Sequence, residues 1–396
     1  MLLFFSFNVL FVFIMFFIVF FNSFLFGGWN GSWFYLMSWL SINLCFMSLF
    51  MLILILMSER FFGLKVLAKF TVLISILFFG SQNMLMFFFM FELVMVPVLM
   101  MIVYYGTQPE KTSASYYALI YTSTFSLPFL YVIMSLESWP IMIFSSSIQC
   151  LIFLGLFMVK SPLFMMHYWL PKAHVEAPTS ASMLLAGLLL KVGVYGLMKL
   201  IIYLSFTSFF LFLFSFMGVF MGSHIASYSS ESKVLAANSS VTHINLCLFS
   251  LSLINLCLNS GSYLVSLSHG YISTLLFYLV GEMYHYNGSR MLYYMVGVTG
   301  YSGFLMSMMG LIFLSNAGVP PMLSFWGELI TIMVLMNIYV FLLFFLSVYF
   351  FFSFYYSIYL MMHVSSSGSS MNLSVYVSLY CLLTMIVLFN VLVFML

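Results

Sequence analysis

Uninterrupted apolar runs of membrane-crossing length recur along this chain. The first, residues 2–26 (LLFFSFNVLFVFIMFFIVFFNSFLF), carries no charged side chain. About 20 apolar residues in a helix suffice to cross the hydrocarbon core of a bilayer. Further runs lie near 34–57, 65–80, 82–105, 113–136, 140–170, 178–203, 204–226, 233–256, 262–284, 293–333, 335–362 and 376–396. Allowing about 30 residues per span and loop, the chain is expected to be an all-α polytopic membrane protein of about 13–14 transmembrane helices. The runs are continuous, whereas a membrane β-barrel would show short alternating strands.

Charge excludes the other classes. The chain has ten Lys and Arg, eight acidic residues and a net charge of +2, and only 5% of its residues are charged. Soluble domains carry charge on about a quarter of their residues, so this chain could not cover a water-facing surface. No Lys/Arg cluster offers a footprint for phosphates, which excludes nucleic acid as a partner, and a 65% hydrophobic content excludes disorder. Residues 1–58 contain neither Lys nor Arg, so no cleaved presequence is expected. The 50 Phe and 35 Met against two Arg fit a T-rich genome that reads an extra codon as Met, as many animal mitochondrial genomes do. The five cysteines form no C-x-x-C pair, and neither a G-x-G-x-x-G nor a P-loop is present. The expectation is that no metal, nucleotide, flavin or cluster belongs to this chain.

Function is then sought among charges that lie inside the apolar runs, because a charged side chain at the bilayer centre costs about 2.5–3.5 kcal/mol on insertion scales. Most charges, including Arg60, Lys65, Glu110, Lys111, Lys172, Glu231, Lys233 and Arg290, fall in or beside loop-like stretches and read as solvated or anchoring groups; Lys199 and Glu282 lie near span ends. Four are deep: Glu92 in MLMFFFMFELVMVPVLMMIVYY, Lys160 at the end of CLIFLGLFMVK, Lys191 in SASMLLAGLLLKVGVYGLM and Glu328 after NAGVPP. Two acids and two bases could also be static pairs that fix helix packing, although packing in lipid is ordinarily achieved with small residues. Backbone breaks accompany two of the four: Pro162 follows Lys160, and Pro320-Pro321 precede Glu328. Irregular backbone at membrane depth needs protein or a water-filled cavity around it, and secondary transporters place ion sites at such breaks. His243 and His269 lie several residues inside apolar runs and are candidate proton carriers. His167 and His174 belong to the semi-polar HYWLPKAHVEAP stretch and read as interfacial.

The stretch VKSPLFMMHYWLPKAHVEAPTSASMLLAGLLLKVGVYGL (159–197) closely resembles the antiporter-like subunits of respiratory complex I, as do FELVMVPVLMMIVYYGTQPEK (91–111), KVLAANSSVTHI (233–244), SHGYISTLLFYLVGEMYHYNGSR (268–290) and AGVPPMLSFWGEL (317–329). The resemblance implies two inverted antiporter-like repeats, each with a broken helix, at 82–203 and 204–333, between N-terminal helices (1–81) and C-terminal helices (334–396). It implies a proton relay of Glu92, Lys160, Lys191, His243, His269 and Glu328, with Glu92 paired to Lys160. It also implies the mitochondrial inner membrane and other membrane-arm subunits as neighbours, especially the sister chains 2 and 5. NADH, FMN, iron–sulfur clusters and ubiquinone are expected on other subunits. A stand-alone cation/proton antiporter subunit and a purely structural membrane scaffold are the alternatives.

Overall fold

The computed structural model describes residues 32–81, 83–135, 147–200, 208–253, 256–295, 303–320, 322–338 and 340–365. The runs expected at 2–26 and 376–396 lie outside them, as does Glu137. The described residues form helices throughout: α1 (Ser32–Ser58), α2 (Phe62–Gly80), α3 (Met84–Leu93), α4 (Met95–Tyr105), α5 (Lys111–Ser135), α6 (Ser147–Lys160), α7 (Trp169–Glu176), α8 (Thr179–Leu184), α9 (Leu190–Leu200), α10 (Ser208–Tyr228), α11 (Ser232–Ser252), α12 (Leu256–Asn287), α13 (Gly303–Asn316), α14 (Leu323–Ile338) and α15 (Val340–Ser365). Nine stretches among them are long and apolar enough to cross a membrane, with α6 and α14 supplying shorter apolar helices.

Three of the expected runs are interrupted, each by an identifiable cause. Pro97 has no N–H to return to the carbonyl of Leu93, and the helix of the 82–105 run divides at Val94, between α3 and α4. In the 140–170 run, α6 stops at Lys160, ahead of Pro162. In the 293–333 run, α13 and α14 are separated by residues 317–322, which contain Pro320-Pro321.

Burial sorts the helices. The spans 179–199, 232–252 and 260–285 are buried along 94–100% of their windows, against 28% for 341–364 and 33% for 111–134. Polar side chains follow that division. The α11 sequence SKVLAANSSVTHINLCLFSLS is rich in Ser, Thr and Asn and is buried along its whole length. Its hydroxyls are satisfied by their own helix, as in Ser239 to Ala236 O and Thr242 to Ser239 O. Such groups can sit beside neighbouring helices without facing lipid.

The helix ends at Ser58, Tyr105, Glu176, Tyr228 and Asn287 gather on one face of the bundle, with the starts at Phe62, Lys111, Thr179 and Ser232. Contacts stitch this face together: Thr179 donates to Glu59 (3.3 Å), Arg290 to Thr107 (3.4 Å), and Ser232 to the Arg290 carbonyl (3.1 Å). The charged residues Glu59, Arg60, Lys65, Glu110, Lys111, Glu231 and Arg290 cluster here.

Candidate functional site: a buried axis of ionisable groups

The first component is built where two helices fail. Glu92 lies on the last turn of α3, beside the interruption caused by Pro97, and Lys160 is the last residue of α6. The Lys160 ammonium stands 3.2 Å from Glu92 Oε1, donates to the carbonyl of Phe91, and lies 3.3 Å from the centre of the Phe91 ring. Lys160 is 2% exposed and Glu92 29%. The orphan carbonyls at the end of α6 find partners: Trp169 Nε1 donates to Val159 O (3.0 Å), and Leu163 N reaches Met158 O (3.1 Å) across the gap left by Pro162. The break is therefore satisfied internally, as backbone at membrane depth requires. Gly193 of α9 abuts it so closely that a Cβ there would lie 2.8 Å from Ser161 N.

Lys191 follows a widened turn. Residues Leu185–Leu189 adopt a π-helical turn between α8 and α9, and the Lys191 ammonium folds back to donate to the Ala186 carbonyl. π-turns are rare and concentrate at functional sites. On its other side Lys191 Nζ meets His269 Nδ1 at 2.9 Å. Lys191 is 1% exposed, and no carboxylate pairs with it among the described residues.

From His269 the axis continues to the second break. The rings of His269 and His243 are 5.5 Å apart and inclined by 30°. A small cavity touches both, lined also by Ser268, Ser315, Asn316 and Ser324, with about 10 Å³ open to the centre of a water molecule. That is room for about one water. His243 Nδ1 lies 3.8 Å from Glu328 Oε1 on α14. Gly318, in the break before α14, has φ +73°, and a Cβ there would run into the Glu328 carboxylate. The backbone bend and the carboxylate thus occupy one space, and only glycine permits both.

All six residues singled out from the sequence are placed, and they fall into two connected groups: Glu92 with Lys160, and Lys191–His269–His243–Glu328. No side-chain hydrogen bond joins Lys160 to Lys191 among the described residues; the link is the close seat of α9 against the first break. Tyr349 of α15 was not singled out. Its hydroxyl lies 3.3 Å from His243 Nδ1 and 3.4 Å from Glu328 Oε1.

Some expectations change. Lys233 is not a solvated loop charge: it is 3% exposed and donates to Ala177 O at 3.0 Å. His167 and His174, expected at the interface, are buried within the bundle. His174 is stacked on Phe277 at 4.3 Å, with no hydrogen-bond partner on either ring nitrogen among the described residues. Glu176, embedded in the same semi-polar stretch, is 5% exposed and is held by Gln108. With the Gln108 amide oriented to suit its neighbours, it donates to Glu176 Oε1 (2.6 Å) and accepts from Arg290 (3.1 Å). Burial raises the Glu176 carboxyl above its ordinary value, and Arg290 pulls it back. No group of three or more His, Cys, Asp or Glu among the described residues could hold a metal ion.

Comparison with known proteins meets this geometry. Residues 81–353 match the family described as NADH:quinone oxidoreductase/Mrp antiporter, transmembrane. NADH-ubiquinone oxidoreductase chain 4 of Ascaris suum is 40% identical over 319 residues, covering 79% of this chain and 78% of that one. The protein of the same name from Caenorhabditis elegans is 41% identical over 324 residues, 81% and 78% of the two chains. In fold, the chain is similar to a subunit in the structure of respiratory complex I from Thermus thermophilus with bound NADH, at a TM-score of 0.79 and 21% identity, over 90% of this chain and 79% of that one.

Proposed function

Since this chain belongs to the NADH:quinone oxidoreductase/Mrp antiporter transmembrane family, we propose that it is a proton-translocating membrane-arm subunit of respiratory complex I. In that role it couples electron transfer from NADH to ubiquinone to proton export across the mitochondrial inner membrane. Its neighbours are other membrane-arm subunits, the sister antiporter-like chains 2 and 5 among them, and lipid. NADH, FMN, the iron–sulfur clusters and ubiquinone belong to other subunits. The proton path is Glu92, Lys160, Lys191, His269, His243 and Glu328.

The observation that carries this reading is the run of short separations between titratable groups inside the bundle, 3.2 Å from Glu92 to Lys160 and 2.9 Å from Lys191 to His269. Each group can exist in two protonation states, and each depends on its neighbour for charge compensation. When Glu92 holds the Lys160 ammonium, the pair retains its proton. When the carboxylate moves away or is itself protonated, the ammonium is left with a carbonyl and a ring face, and its proton passes toward Lys191. Lys191 hands it to His269 Nδ1, and the small cavity that both imidazoles line has room for about one water beside them. A tenfold change in proton affinity corresponds to about 1.4 kcal/mol. Moving one charge against 100 mV costs about 2.3 kcal/mol. Small rearrangements at each pair therefore work on the scale that the membrane potential imposes.

Cations on short loops mark the side from which a membrane protein is inserted. Arg60, Lys65, Lys111 and Arg290 lie on the face that also carries Glu176 and Gln108, and these cations support a matrix-facing reading of that face.

The test separates a relay from a scaffold. Replacing Glu92 by Leu together with Lys160 by Met removes a buried pair as a unit, which packing tolerates far better than removing one partner. In the assembled enzyme reconstituted in vesicles, the double variant is expected to assemble and to export fewer protons per NADH oxidised. Assembly with wild-type proton export would leave a scaffold.

A further inference from the structure

The second half of the path contains a gap that neither of its assigned residues closes. His243 Nδ1 and Glu328 Oε1 are 3.8 Å apart, beyond hydrogen-bonding range. One described side chain reaches both: the Tyr349 hydroxyl, at 3.3 Å from the imidazole nitrogen and 3.4 Å from the carboxylate oxygen.

How α15 presents this hydroxyl can be followed in the sequence. The helix is the least buried of the described spans and is dominated by Phe. Yet Leu346, Tyr349, Ser353, Tyr356, Ser357, Leu360 and Val364 are all at most 3% exposed. Their spacing of three and four residues makes one inward stripe. The Tyr349 ring packs with Val219, Leu246, Phe249, Leu335 and Leu346 in an apolar cluster separate from the main core. The ring is held by that cluster and the hydroxyl projects from it into the polar axis. A buried tyrosine hydroxyl needs a partner; here both available partners are titratable.

We infer that Tyr349 is a relay residue, passing a proton between His243 and Glu328 through its hydroxyl. This deepens the proton-path reading above and rests on it. A phenol can accept from one group while donating to another. With His243 protonated and Glu328 ionised, the Nδ1–H bond breaks and a new O–H bond forms on Tyr349. The old Tyr349 O–H bond breaks, and its proton forms a bond to Glu328 Oε1. Tyrosine begins and ends neutral; the imidazolium and the carboxylate both become neutral. Afterwards the hydroxyl points back at Nδ1, and a second proton cannot cross until it turns. The hydroxyl therefore passes one proton per reorientation.

The experiment uses the assembled enzyme reconstituted in vesicles, with Tyr349→Phe, Glu328→Gln and, as a control for lost buried hydroxyls on the same stripe, Tyr356→Phe. Tyr349→Phe keeps the ring and removes one oxygen. It is expected to lower coupled turnover about a hundredfold or more, the lower end of what a lost proton-transfer group costs, as is Glu328→Gln, while Tyr356→Phe stays at wild type. Infrared difference spectra give a second readout on whatever fraction assembles: the carboxyl C=O band of protonated Glu328 moves to higher frequency in Tyr349→Phe, because its phenol partner is gone. A Glu328→Gln defect with wild-type turnover and an unmoved band in Tyr349→Phe would overturn the inference and leave the path standing. Equal losses in Tyr349→Phe and Tyr356→Phe would also overturn it, since packing would then be the cause. Wild-type behaviour in Glu328→Gln and Tyr349→Phe together would remove the path itself.

Discussion

The two halves of the axis carry an acid each, and they treat it differently. In the first half, Glu92 faces an ammonium directly, at 3.2 Å, and is 29% exposed. In the second, Glu328 is 4% exposed and faces an imidazole at 3.8 Å and a phenol at 3.4 Å. Neither Lys nor Arg pairs with Glu328 among the described residues. A carboxylate and an ammonium make a standing ion pair, whereas a carboxylate beside an imidazole becomes a pair only when the imidazole gains a proton. The first site therefore sets a carboxylate against a fixed cation, and the second sets one against a group that is cationic only when protonated. On the proposed path, the two halves would then divide the work, the first loading a proton and the second registering its arrival.

Neutralising the two acids in parallel should break this comparison most visibly. Glu92→Gln leaves the buried Lys160 ammonium without its counter-charge. The partial exposure of Glu92 discounts the cost of breaking a fully buried pair, so the expected loss is about 1–2 kcal/mol of stability, seen as reduced thermal stability of the assembled enzyme, together with lower proton export. Glu328→Gln keeps an acceptor for Tyr349 and strands no cation. It is expected to lower export with a smaller loss of thermal stability than Glu92→Gln. Equal stability losses in the two variants would mean that the sites are electrostatically alike.

The breaks themselves give a second, smaller contrast. Gly318 has φ +73° and lies against the Glu328 carboxylate, so Gly318→Ala incurs the left-handed penalty of about 1–2 kcal/mol and pushes the acid from its seat. Lower thermal stability and lower proton export should appear together; a stability loss with full export would show that the carboxylate tolerates displacement. In the first break the left-handed position is occupied by Met165, with φ +80°, and its side chain is 56% exposed. Met165→Gly relieves that strain and is expected to raise stability by no more than about 1 kcal/mol, with proton export unchanged. Altered export in this variant would give the strained residue a role in the path.

The parts of this site that could be read from the chain alone are those whose meaning is local. Glu92, Lys160, Lys191 and Glu328 are charges in otherwise apolar sequence, and Pro162 and Pro320-Pro321 break helices wherever they stand. Position in a helix also gave His243 and His269. What escaped depends on neighbours far along the chain. Lys233 looks like a loop charge until Ala177 O, 56 residues away, is seen to accept from it. Glu176 and His174 sit in a semi-polar stretch whose burial is decided by α5, α11 and α12 packing over α7. Tyr349 is one of 26 tyrosines, and its only sequence signal is the three-and-four spacing of hydroxyls at 349, 353, 356 and 357 on a Phe-rich helix. The π-turn before Lys191 has no signal that distinguishes LLAGLLLK from an ordinary helix.

Lys191 stands where the two halves must communicate, between the first break and the histidines, so its replacement by Met tests the whole account most directly. The swap keeps most of the apolar stem and removes the ammonium with its charge, its exchangeable protons and its contacts to Ala186 O and His269. In fully assembled enzyme in sealed vesicles, the account predicts fewer protons exported per NADH oxidised, with the fold of the subunit intact. An unchanged ratio in that variant would contradict it.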